Sequence, residues 1–142
     1  MSNSTQMLND IYQGAQMGTE SISHLIKLAE DIPFRKTLET QLAEYQNLQD
    51  SAEKMLKSAN QPVEGVGGMA KASSYVMVEM KTLTDKSSAH MAEMMIQGST
   101  MGVIQMTKDI KAYPNADPRV RKLADKMLAT EQHNIEEMKR FI

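Results

Sequence analysis

Three histidines and two acid-amide pairs are the residues in this chain that could do metal chemistry. His24 has Glu20 four residues before it, His90 has Glu93 three residues after it, and His133 has Glu137 four residues after it. On a helix those spacings put imidazole and carboxylate on one face, as in ordinary surface pairs. A di-metal carboxylate centre in a helical bundle asks for more: a glutamate from each of two helices and Glu-x-x-His from the other two. Here Glu44-x-x-Asn47 and Glu131-x-x-Asn134 keep the acid and lose the imidazole, and no Glu-x-x-His occurs. In the first helix Glu20 lies opposite the apolar positions and faces water. The residues therefore predict no di-metal centre, no cofactor and no enzyme.

Other chemistries fare no better. With no cysteine, disulfides, thiolate metal sites and cysteine nucleophiles are excluded. Ser21, Ser23 and Ser99 sit in helical stretches, and no Gly-x-Ser-x-Gly elbow exists to raise a serine nucleophile. Gly65-Val-Gly-Gly68 has no strand before it and no Lys-Ser/Thr after it, so it reads as a flexible connection and not as a phosphate loop. A net charge of −2, with basic residues scattered among acidic ones, argues against nucleic acid. No apolar run approaches the roughly 20 residues that span a bilayer. The first residues lack the basic and apolar parts of a signal peptide, so a cytoplasmic setting is expected.

The elements that must position these residues are helices, and they repeat. Tyr12-Gln-Gly-Ala-Gln-Met-Gly18 and Ile96-Gln-Gly-Ser-Thr-Met-Gly102 lie 84 positions apart and share four of seven residues. Glycine inside a helix costs about 1 kcal/mol relative to alanine, so two Gly-x-x-x-Gly pairs imply close helix contact. The repeat continues at a spacing of 86: Arg35-Lys36 matches Arg121-Lys122, Leu42-Ala43 matches Leu128-Ala129, and Met55-Leu56 falls on Phe141-Ile142.

Apolar spacing predicts a first helix over 4–30, burying Leu8, Ile11, Ala15, Ile22, Ile26 and Ala29. Asp31-Ile-Pro33 ends it. A second helix over 33–58 buries Leu38, Leu42, Tyr45, Ala52 and Met55 or Leu56. A third covers 88–112. A fourth starts at Asp117-Pro118 and runs to Phe141, burying Val120, Leu123 or Ala124, Leu128, Ile135, Met138 and Phe141. The organisation expected is one helical domain over 1–142: repeat one at 4–58, a crossover at 59–87 and repeat two at 88–142. Within the crossover, 60–68 is loop and 69–81 a short extra helix, with a break near 82–87 where Thr84, Asp85 and Ser87 offer caps.

A crossover of that length can traverse a bundle of about 40 Å. Equivalent helices then become antiparallel neighbours about a pseudo-two-fold axis, as in ferritin-type bundles. In that arrangement Gly14 and Gly18 are expected to meet Gly98 and Gly102. The expected fold is all-α: a ferritin-like four-helix bundle from two repeated hairpins joined by a long crossover.

Met94-Met-Ile-Gln-Gly-Ser-Thr-Met-Gly-Val-Ile-Gln-Met106, Asp117-Pro-Arg-Val-Arg-Lys-Leu-Ala124 and Glu131-Gln-His-Asn-Ile-Glu-Glu-Met138 resemble a small bacterial ferritin-like family of uncharacterised function. The resemblance covers about residues 90–142. Its pattern runs M-M-I-x-H-H-x-x-A-I-x-M, then D-P-x-[VL]-x-x-L-A and Q-x-x-E-I-x-x-M. The first half, through Met7-Leu-Asn-Asp10 and the hairpin after it, more loosely resembles the spore-coat protein F family. That likeness implies a ferritin-like fold and makes a spore-coat location an alternative to the cytoplasm. The departure matters: this chain has Gly98 and Ser99 where the family has paired histidines, so the resemblance brings no metal ligand with it.

Three functions follow as expectations. The first is a structural or protein-binding bundle, as a homodimer or with another protein, through a methionine side formed by Met17, Met94 and Met101; methionine suits adaptable surfaces. The second is a copper-type site. Antiparallel pairing about the glycines places residue i of the first helix near residue 116−i of the third, which brings His24 near His90, with Met94 on the same side. Imidazole and thioether suit a soft metal ion. The third is a carrier for a small apolar ligand.

Overall fold

The computed structural model describes residues 2–65 and 83–142. These form four helices: α1 (Asn3–Leu28), α2 (Ile32–Ser58), α3 (Ser88–Ala112) and α4 (Pro118–Lys139). Each helix begins on a side chain that accepts one of its otherwise unsatisfied backbone N–H groups. Ser2 takes the Thr5 amide, Asp31 the Phe34 amide, Ser87 the His90 amide and Asp117 the Arg119 amide. Proline in the first turn reinforces the starts of α2 and α4. Each last turn carries a lysine, which complements the helix dipole.

The C-terminus of α2 is a Schellman turn. Asn60 takes a left-handed conformation (φ 55°), the Gln61 amide donates to Leu56 O at 2.9 Å, and the Asn60 amide to Lys57 O at 3.1 Å. The extended segment that follows is held on α1. The Glu64 amide donates to Asn9 Oδ1 at 3.0 Å, and Gln13 Nε2 donates to the Glu64 carbonyl at 3.3 Å. The extra helix expected at 69–81 lies outside the described residues. Residues 83–87 are not helical, and α3 starts afresh on Ser87.

Two contacts fix how the hairpins combine. At one end the Asp117 amide donates to Ser4 Oγ at 2.9 Å, so α1 and α4 start side by side. At the other end Phe34, near the start of α2, meets Phe141, just past α4, edge to face at 5.1 Å. So α2 and α4 run antiparallel, as do α1 and α3, and the two hairpins touch through α1–α3, α2–α4 and the α1–α4 diagonal. Residues 59–87 therefore join the end of α2 to a helix that begins at the far end of the bundle. This is an all-α four-helix bundle with a long crossover.

Buried Leu8, Ile11, Ala15, Ile22, Leu38, Ala52 and Leu56 form much of the core, joined by Met7, Met91, Met94, Met95, Met106, Met127 and Met138. Methionine is thus mainly core filler. Some expected core positions are only half-buried, Ile26, Leu42 and Phe141 among them. In α4 the inward positions are Val120, Leu123, Ala124, Met127, Glu131, Asn134 and Met138, while Leu128 and Ile135 are half-buried. Two polar residues occupy the inward face, and a rule that follows apolar residues steps over them.

A polar layer at the centre of the bundle

Halfway along the bundle, all four helices contribute to one layer, which the repeat organises. At the spacings of 84 and 86, Ala15 corresponds to Ser99, Gly18 to Gly102, and Tyr45 to Glu131. Gly18 on α1 lies against the Tyr45 ring of its own hairpin partner, where a Cβ would sit 2.8 Å from Tyr45 Cγ. Gly102 on α3 does the same for Glu131, where a Cβ would sit 2.8 Å from Glu131 Cδ and overlap the carboxylate. Each glycine makes room for the large side chain one helix away, and those side chains then meet across the pseudo-two-fold axis. The Tyr45 hydroxyl donates to Glu131 Oε1 and lies 3.4 Å from Ser99 Oγ.

The glycines thus do not meet one another, as the repeat alone had suggested. Gly18 and Gly102 serve α1–α2 and α3–α4 contact. Among the described residues, a Cβ on Gly14 would meet only the flexible tip of Met127, at 3.1 Å, and one on Gly98 would meet nothing within 4 Å.

Burial controls the electrostatics of the layer. Glu131 is 4% exposed, and desolvation pushes its carboxyl up to about 8, opposed by the Tyr45 hydrogen bond. It is therefore mostly a neutral acid at pH 7. Burial, then the charge of Glu131, hold the Tyr45 hydroxyl well above its ordinary value. Gln41 and Asn134 are fully buried on the adjoining turns, and in antiparallel register they fall at one level. The Gln41 amide has no hydrogen-bond partner among the described residues, while the Asn134 side chain lies near enough to the Tyr45 hydroxyl to act on it by hydrogen bonding, though outside ideal geometry.

Glu44-x-x-Asn47 is out of register with this layer. Tyr45, not Glu44, is the counterpart of Glu131. Glu44 is half-buried and Asn47 exposed. Burial, then the nearby Glu137, raise the Glu44 carboxyl, with His133 and Lys126 acting the other way.

The other sequence-derived residues lie outside the layer. His90 Nδ1 stands 3.8 Å from Glu93 and His133 Nε2 3.0 Å from Glu137, the surface pairs their spacing predicts. His24 is half-buried on α1. Met94 is 2% exposed and belongs to the core, so it cannot face a partner or an exposed metal ion; Met17 and Met101 are half-buried. Among the described residues no three His, Asp or Glu side chains converge where a metal ion could sit. An open cleft of about 410 Å³ lies where α1 and α4 start. Its lining mixes Ser2, Ser4, Thr5, Lys54, Asp117 and Arg119 with Leu8, Met55 and Val120. No described helix is long and apolar enough to cross a membrane.

Tyr45, Glu131 and Ser99 thus form a buried hydrogen-bonded group, with the Gln41 and Asn134 amides packed beside it. The sequence matches no protein-family model and no curated protein. Among solved structures, the crystal structure of a DUF305 fragment from Deinococcus radiodurans is similar over 99% of this chain and 95% of that one, with a TM-score of 0.81 and 15% identity. At that identity the similarity concerns the fold alone: four helices in the same arrangement.

Proposed function

We propose that this chain is a ferritin-like bundle whose ligand-bearing centre has become a closed polar plug, and that it acts without catalysis as a structural or protein-binding element. The observation that carries the reading is the Tyr45–Glu131 pair. The carboxyl in the place of a metal ligand is buried, neutral at pH 7 and bonded to a tyrosine.

Association involves the outer side of α3. Gly98, Met101 and Ile104 follow one another at three-residue steps; the first is half-buried with no described atom within 4 Å of where a Cβ would stand, the second is half-buried, and Ile104 is 50% exposed. A bare stretch of helix flanked by apolar side chains fits the same face of a second copy. Sedimentation of the full chain over a hundredfold concentration range is the test. A monomer–dimer equilibrium weakened by Ile104→Asp supports the reading. A monomer at every concentration removes the homodimer, and a dimer untouched by the substitution removes this surface.

A further inference from the structure

A second pair of carboxyl groups lies off the central layer, where α1 packs on α3. Asp10 and Asp109 are 8% and 4% exposed. Each is held by a glutamine one turn before it: Gln6 Nε2 donates to Asp10 Oδ1 at 3.0 Å, and Gln105 Nε2 to Asp109 Oδ1 at 2.9 Å. Because the helices are antiparallel, the two glutamines flank the acid pair on opposite sides. Asp109 Oδ2 is buried, and no donor group of the described residues reaches it. The carboxyl of Asp10 stands near enough to interact with Asp109 both by hydrogen bonding and by charge.

Two carboxylate oxygens are both acceptors and cannot bond unless a proton lies between them. Two adjacent buried negative charges without a cation are strongly unfavourable. The groups acting on Asp109 are Asp10 from α1 and Gln105 from its own helix; no charged group of α2 or α4 acts on it among the described residues. Among the described residues no lysine, arginine or histidine is ion-paired to either acid.

We infer that Asp10 and Asp109 hold one proton between them, a buried proton-binding site that joins the two hairpins and weakens their union when it empties. On deprotonation the O–H bond of one carboxyl breaks, the proton passes to water, and two carboxylates are left facing each other across α1 and α3. Burial, and then Asp10, raise the Asp109 carboxyl to about 8, which puts the loss at mildly alkaline pH. The native state binds this proton where the unfolded chain does not. Its contribution is full below about pH 4 and is lost as pH rises towards 8.

The test is carboxyl-carbon NMR of the full chain from pH 3 to 10 with a chelator present, on the wild type, Asp10→Asn and Asp109→Asn. Asp109 should titrate near pH 8. Asp10→Asn should lower the Asp109 midpoint, because an asparagine amide donates in place of the shared proton, while burial still holds it above the ordinary carboxylate range. A second readout, denaturant unfolding in a Glu131→Gln background, is independent of resonance assignment. The folding constant should fall about tenfold or more between pH 6 and 9, and adding Asp109→Asn should remove most of that fall. Two acids titrating together near pH 4, or a pH slope unchanged by Asp109→Asn, would overturn the inference.

Discussion

Gly102 and Gly98 are four residues apart on one helix, yet substitution should move stability in opposite directions. A methyl group at Gly102 strikes the Glu131 carboxylate, whose neighbours in the layer are fully packed. Gly102→Ala should therefore cost about 2 kcal/mol or more, as overpacking does. Gly98→Ala meets open space in a helix interior and should stabilise by about 0.5–1 kcal/mol. Denaturant midpoints of the two variants decide it, and equal effects would mean the glycines do not play the separate roles assigned to them. Gln41 offers a further test in the same layer. Its buried amide lacks a partner, and an unpaired buried polar group costs about 1–3 kcal/mol, so Gln41→Leu should raise the unfolding midpoint.

The elements were largely legible because their signals are local. Ser2, Asp31, Ser87 and Asp117 cap helices where side-chain chemistry says they should, and the third helix begins and ends where apolar spacing and Tyr113-Pro114 set it. Asp31→Ala should cost about 1 kcal/mol in thermal unfolding, and a Tm unchanged by it would show that Pro33 alone starts α2. The long crossover was also legible, from a repeat whose halves need an antiparallel pairing. The centre was less so. Glu131 and Asn134 carry the inward stripe of α4, but hydrophobic periodicity prefers Leu128 and Ile135 beside them. Glu131 was visible as the acid of a Glu-x-x-Asn pair; its true counterpart was hidden, because Tyr45 and Glu131 share a place in the repeat and no chemical type. Asp10 and Asp109 carry no sequence signal as a pair, since only the α1–α3 register brings them together.

At the scale of the whole molecule, two buried acids set the response to pH. Glu131 and Asp109 both have carboxyls raised to about 8, so the native state binds protons that the unfolded chain releases near pH 4. Stability should therefore decline from pH 5 to pH 9, the reverse of a protein held by exposed ion pairs. Glu131→Gln should flatten part of that decline; an unchanged profile would place the titrating groups elsewhere. The ion pairs present, such as Lys57–Glu53 and Lys139–Glu136, are exposed and contribute little. The proposed function turns on a bundle centre that is a plug and not a metal site. Elemental analysis of untagged full-length protein, purified without chelators, for iron, manganese, zinc and copper tests that claim directly. The plug predicts each metal far below one equivalent per chain; near-stoichiometric iron or manganese would contradict it and restore a metal-dependent function to the centre.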